Sequence, residues 1–322
     1  MKLKRLLLLL VIVLIPLSCV SLPAPPAATF TAAPAATVPL ELCWVETGGT
    51  SVWGALGAAG VVDASTWEVT TSALLVRHPK GDLLIDTGIS VAAATEVREL
   101  GAWRSFVFSQ TAGRNDQRGT LKAKLEQLGA TNPLAIIVSH AHADHLGGVS
   151  QVPGVPVWFA RKELAFVEAE LKSGRGVVMP AQARAVEKRA VALEFESGPY
   201  LNYPASHDVF GDGSVVIVPT PGHTPGSVAT FVNQPGLRLV HTGDLINLAE
   251  SIERAVPKSW LMRAFTDEDT KATDLEVARL VQLHQLEPGL TILPAHDRRA
   301  WEAVFGNTPV GAAPPCVKRE AR

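Results

Sequence analysis

Cysteine, tyrosine and net charge are what this 322-residue sequence has least of: three cysteines, two tyrosines and a formal charge of −2. Each shortage excludes something. Lysine and arginine number 29 against 31 acids, so the chain offers neither a basic footprint for nucleic acid nor a polybasic patch for a membrane surface. Cys19, Cys43 and Cys316 have no metal-ligand spacing, so a thiolate-held metal is not expected. No G-x-S-x-G is present, and Tyr200 and Tyr203 match no catalytic motif. Aromatic residues make up only 6%, the tryptophans are scattered, and no repeat period is visible. Apolar residues are plentiful, at 47%. That is enough for one domain of about 250–300 residues, or for two smaller ones.

The first residues read as an address rather than as fold. Lys2, Lys4 and Arg5 precede an apolar run from Leu6 to Leu17, the pattern of an export signal and short for a membrane span. In "PLSCV", Cys19 stands where a lipoprotein signal carries its lipidated cysteine, although Pro16 occupies the place usually taken by leucine. Two outcomes stay open, lipid attachment at Cys19 with anchoring to a membrane, or simple cleavage before Thr37. Both put the protein outside the cytoplasm, periplasmic or membrane-anchored. Residues 1–19 are thus the signal and 20–39 a Pro/Ala-rich linker with few large side chains to pack. The folded domain is expected over 40–308, with a tail over 309–322. In an oxidising compartment Cys43 and Cys316 either pair as a disulfide or remain two free thiols.

Within the domain, strand-like and helix-like segments alternate, which indicates an α/β or mixed layered fold. "LELCWVET" reads as a strand, and the Gly/Ala-rich stretch from Gly48 as a long loop. "WEVTTSALLVRHPKGDLLIDTG" reads as two strands around a turn at Pro79–Asp82. "LAIIVSH", "VPVWFA", "SVVIVP", "SVATFV", "LRLVH" and "LTIL" are further strands. "TLKAKLEQLGA", "KELAFVEAELKS", "ATDLEVARLVQLHQLEPG" and "DRRAWEAVFG" read as helices.

The chemistry concentrates at the strand ends. His140, His142, Asp144 and His145 fall within six positions after "IIVS", and His223, Asp244 and His296 follow three later strands. In a turn, His140 and His142 can aim at one ion, while Asp144 and His145 point elsewhere and need a second. Imidazole with carboxylate suits Zn²⁺ and similar divalent ions. The ligands then divide as His140, His142 and His223 on one ion and Asp144, His145 and His296 on the other, with Asp244 bridging. His78, His207, His241 and His284 are expected to be structural or solvated.

HAHADH, GHTPGS, TGD and PAHD, with "LLIDTG" upstream, together resemble the metallo-β-lactamase-fold hydrolases over about residues 40–308. The resemblance implies an αβ/βα four-layer sandwich, two central mixed β-sheets flanked by helices, with a dinuclear site at one edge. It also implies that Asp86 supports the site without ligating. Two cations of this kind lower the pKa of a shared water, and the resulting hydroxide attacks a carbonyl or phosphoryl centre with Asp144 orienting it. Asp244 separates this chain from true zinc β-lactamases, which have cysteine or serine there. It favours the lactonase, thioesterase and phosphotriesterase branches. The lactonases carry a tyrosine three positions after the bridging aspartate, where this chain has Asn247. Trp53, Trp103, Phe106, Asn247 and Trp260 are candidates to contact a small-molecule substrate, or else pack as core and lid.

Overall fold

Runs of valine, isoleucine and leucine punctuated by glycine and proline form the strands of two sheets. The computed structural model describes residues 21–60, 66–100, 105, 116–174 and 177–318. The signal segment 1–19 with Cys19, and the candidate contacts Trp103 and Phe106, lie outside the described residues.

The first sheet contains β1 (Glu41–Trp53), β2 (Thr66–His78), β3 (Gly81–Ile85), β4 (Asp116–Gln117), β5 (Ala135–Ile137), β6 (Val157–Ala160), β7 (Ala190–Leu193) and β13 (Cys316–Lys318). Its order is β13-β1-β2-β3-β5-β6-β7, with β4 also on β1. The β1–β2–β3 part is antiparallel, and β3, β5, β6 and β7 run parallel. The second sheet contains β8 (His207–Asp208), β9 (Val215–Pro219), β10 (Val228–Gln234), β11 (Leu237–His241) and β12 (Leu290–Leu293), in the order β12-β11-β10-β9-β8. Strands covered on both faces, such as "AII" of β5 and "VVIV" of β9, read as unbroken apolar runs, as two-sided burial requires.

Three apolar layers hold the sheets and helices together. Leu42, Trp44, Leu74, Leu83 and Ile85 of the first sheet meet Val215, Ile217, Val228 and Leu239 of the second. The alternate residues Cys43, Val45, Leu75 and Leu84 face the other way, onto Leu121, Leu125 and Val167 of the helices Leu121–Gln127 and Arg161–Ser173. Val216, Phe231 and Val240 pack on Val277, Leu280 and Leu283 of the helix Thr270–Leu286. This is the four-layer αβ/βα sandwich that the resemblance implied.

Three stretches differ from the sequence expectation. The strand β1 does not stop at Thr47. It shifts register between Glu46 and Gly48 and continues along β2 to Trp53, so the Gly/Ala loop starts only at Gly54. The irregularity takes up Thr47, and the glycine pair behind it stays in the ladder opposite Thr71 and Thr70. The tail also joins the sheet: β13 pairs with β1, and Cys316 faces Cys43 across the ladder in a disulfide, with Cα atoms 4.1 Å apart. The linker has no regular structure over 21–39, yet it rests on the domain. The Thr31 N–H donates to the Leu201 carbonyl at 2.8 Å, Leu22 and Ala33 pack beside the second sheet, and Val38 packs against the inter-sheet core.

Candidate metal centre

Short loops at the ends of the central strands bring the predicted residues to one edge of the sandwich. The chain leaves β5 at Val138 and turns sharply, with the His145 N–H on the His142 carbonyl at 3.1 Å, so that His142 and His145 diverge. Thr87 fastens the turn, its N–H and hydroxyl both donating to the His145 carbonyl at 2.7 Å. The Gly147–Gly148 pair follows because backbone presses on it: a Cβ at Gly147 would stand 2.3 Å from the Ser90 nitrogen. His223 lies between β9 and β10, Asp244 just past β11, and His296 just past β12.

All seven predicted residues converge, in two groups: His140, His142, His223 and Asp244, and Asp144, His145 and His296. In the first, His223 Nε2 is 3.1 Å from His140 Nε2 and 3.0 Å from His142 Nδ1. In the second, His145 Nε2 is 3.3 Å from His296 Nε2, and Asp144 Oδ2 is 3.4 Å from His296 Nε2. Asp244 stands between them. Its Oδ2 faces His223 Nε2 at 3.5 Å and His140 Nε2 at 3.9 Å, and its Oδ1 faces His145 and His296 at 3.2 and 3.1 Å.

The rings are oriented so that bare nitrogens face inward. His145 Nδ1 donates to Asp86 Oδ2 at 2.8 Å, His223 Nδ1 to Asp267 Oδ1 at 2.8 Å and His296 Nδ1 to the Thr70 carbonyl at 2.8 Å. The Ser139 hydroxyl donates to Asp86 Oδ2 at 2.8 Å and accepts from His140 Nδ1 at 3.1 Å. In these four rings, when neutral, Nε2 therefore keeps its lone pair, whereas His142 turns Nδ1 inward. Lone pairs aimed at one another across 3.0–3.3 Å repel unless positive charge lies between them. Two ligand atoms each about 2.0–2.1 Å from one tetrahedral ion stand about 3.3 Å apart, so the spacing suits divalent ions held by nitrogen and carboxylate oxygen.

Electrostatics divides the groups the same way. Burial, then neighbouring histidines, holds His140 and His142 well below the usual histidine range, and burial with the adjacent Lys258 ammonium lowers His223. Burial also works against protonation of His296 and His145. The Asp244 carboxylate overrides it, raising His296 to about 9 and His145 well above its ordinary value. Asp244 itself is held well below the carboxylate range, because those two histidines outweigh its burial. The His145–His296 side of the site thus calls for positive charge, and the His140–His142–His223 side offers neutral donors.

Besides Asp86, which the resemblance had already named, the structure adds supports that no sequence spacing announced. Asp86, fully buried, takes the Ser139 N–H at 2.7 Å and the Ser139 hydroxyl as well as His145. Lys258, also buried, donates to the Asp244 carbonyl at 2.8 Å and pairs with Asp267, which grips His223. Glu163 joins the loop of His140 and His142 to that of His223. Lys258 and Asp267 flank the helix Trp260–Thr266 and, in the sequence, look like ordinary loop charges. Glu163 looks like an ordinary acid in the first turn of a helix. Of the candidate substrate contacts, Trp53 and Trp260 are exposed at 46% and 38%, and Asn247 is half-buried in the turn after Asp244. His241 is structural: buried, and edge-on to Trp301 at 6.0 Å between ring centroids.

Comparison with known proteins agrees with this geometry. The sequence pattern of the metallo-beta-lactamase superfamily matches residues 66–296. The chain is 24% identical over 246 residues to the N-acyl homoserine lactonase AttM of Azorhizobium caulinodans, covering 74% of this chain and 86% of that one. It is 25% identical over 262 residues to the probable metallo-hydrolase Rv2300c of Mycobacterium tuberculosis, covering 74% and 78%. Among solved structures, an N-acyl homoserine lactone hydrolase with N-hexanoyl-L-homoserine at its catalytic metal centre superposes with a TM-score of 0.61. The two are 21% identical, and the match covers 83% of this chain and 96% of that one.

Proposed function

The chain belongs to the metallo-β-lactamase superfamily, and from that premise we propose that it is a dinuclear zinc hydrolase that opens lactones or cleaves other carboxylic esters. The observation that carries this reading is Asp244, which turns one oxygen to each histidine group. A carboxylate so placed would hold two ions as a pair. His140, His142 and His223 would hold one ion, and Asp144, His145 and His296 the other. When bound, the pair supplies Lewis acidity and brings the pKa of a water close to neutrality.

The chain's own groups do the rest. The Asp144 side chain is partly open to solvent, at 31%, and so is placed to meet an incoming water. Its carboxylate accepts a proton or a hydrogen bond and aims that water at the carbonyl carbon. Asp86, Thr70 and Asp267 fix the rings by the hydrogen bonds already described, so little reorganisation is needed during reaction. Exposed Trp53 and Trp260 offer apolar contact for an acyl or aryl group. The likeness to AttM supports lactones as the substrate class. Asn247 in place of a tyrosine points to an oxyanion contact different from that of the lactonases.

The signal-like N-terminus and the Cys43–Cys316 bond support export, with the protein either free in the periplasm or anchored through a lipid on Cys19. The assay is a panel of lactones, carboxylic esters, thioesters, phosphotriesters and β-lactams, run with metal analysis on the same sample. Lactones or esters should turn over, and activity should vanish with chelator and return with Zn²⁺. Absence of turnover across the panel at two bound ions per chain would refute the proposal.

A further inference from the structure

The Glu163 carboxylate is fully buried, and all its partners are donors from loops that bear the candidate ligands. Its Oε1 accepts the Ala141 N–H at 2.7 Å; its Oε2 accepts the Thr224 hydroxyl at 2.7 Å and the Gly226 N–H at 3.1 Å. Ala141 sits between His140 and His142, and Thr224 follows His223. The first loop leaves β5 of one sheet, while the second connects β9 and β10 of the other. The His140–His142–His223 group therefore takes its rings from both halves of the sandwich, and Glu163 ties the halves together beside it.

We propose that Glu163 is the positioning residue of this group, setting the gap between the two loops to the width that one ion bridges. The inference rests on the metallohydrolase reading and deepens it. The other group does not depend on this tie. His145 is held by Asp86, and His296 by the Thr70 carbonyl. The strap is also close-packed. A Cβ at Gly226 would lie 2.1 Å from the Glu163 nitrogen and 2.5 Å from its Cα, so only glycine lets the loop come this near. Glutamine has the same shape but turns an NH₂ toward N–H or O–H donors, leaving one side of the strap without an acceptor.

The test uses the full mature chain loaded with zinc or cadmium. Glu163→Gln, Thr224→Val and Gly226→Ala are compared with Asp86→Asn, which strikes the other group directly at His145 and reaches His140 only through the Ser139 hydroxyl. Stepwise chelator competition reads the affinity of each ion, and cadmium NMR gives one resonance per site. In Glu163→Gln one ion should bind about 10–100-fold more weakly, with the other within about twofold of the parent. Gly226→Ala should reproduce this with the glutamate intact, and Asp86→Asn should weaken the opposite site more than this one. Should Glu163→Gln fail to fold, Gly226→Ala and Thr224→Val carry the same expectation. Parental affinity for both ions in these variants, or equal loss of both, overturns the inference alone. A parent chain that binds fewer than two ions overturns the dinuclear reading and this inference with it.

Discussion

Asp244 turns its two oxygens to different histidine groups, and the proposed pair of ions rests on that. Asp244→Asn keeps the shape but lowers the charge where such a pair would need it. It is expected to cut kcat/KM by more than about 100-fold and to leave fewer than two ions bound, as kinetics and metal analysis on one sample will show. His241, which is no ligand candidate but faces Asp86 at 3.9 Å, gives a second test. Burial lowers it to about 4, so the fold prefers the ring neutral. As pH falls below the unfolded value near 6.5, the unfolded chain gains a proton that the folded chain refuses, and stability is lost until pH reaches about 4. His241→Phe should make that limb shallower in urea unfolding of the metal-free protein between pH 6.5 and 4, with the contribution of His140, His142 and His223 remaining. The seven ligand candidates were legible because histidine and aspartate cluster in short strings at strand ends. Glu163, Lys258 and Asp267 were not, since each is a lone charge whose partner lies on another loop, and only the fold closes that distance.

Among the elements, the helix Trp260–Thr266 has no buried residue, and the Lys258–Asp267 pair clamps it at both ends beside His223. Both charges are inaccessible to water. Lys258→Met therefore strands a buried carboxylate and should cost about 3–5 kcal/mol, whereas Lys258→Met with Asp267→Asn should recover part of that in thermal unfolding. Equal loss in the single and double variants would show that the pair is not the source. At the sheet edge, β13 is held by three register pairs and the disulfide. Its reduction should lower stability by about 2–4 kcal/mol without changing metal content. Periodicity revealed the longer strands and the helices Leu121–Gln127, Arg161–Ser173, Thr270–Leu286 and Arg298–Phe305, but not β4, β7, β8 or the helices Pro180–Val186 and Trp260–Thr266. It missed the second half of β1, because a glycine pair looks like a break when no partner strand is in view, and β13, because three residues are too few to show alternation.

For the whole molecule, the two sheets place their ligand loops on a shared rim, so the site exists only when both halves are packed. Fold, ligand pattern and resemblance agree on a metal-dependent hydrolase of the metallo-β-lactamase superfamily. The most direct test of the paired-ion claim is lactone opening by metal-free protein as zinc is added in measured equivalents. Activity should climb and level off at two ions per chain. Full activity without metal, or a plateau at one ion, would contradict it.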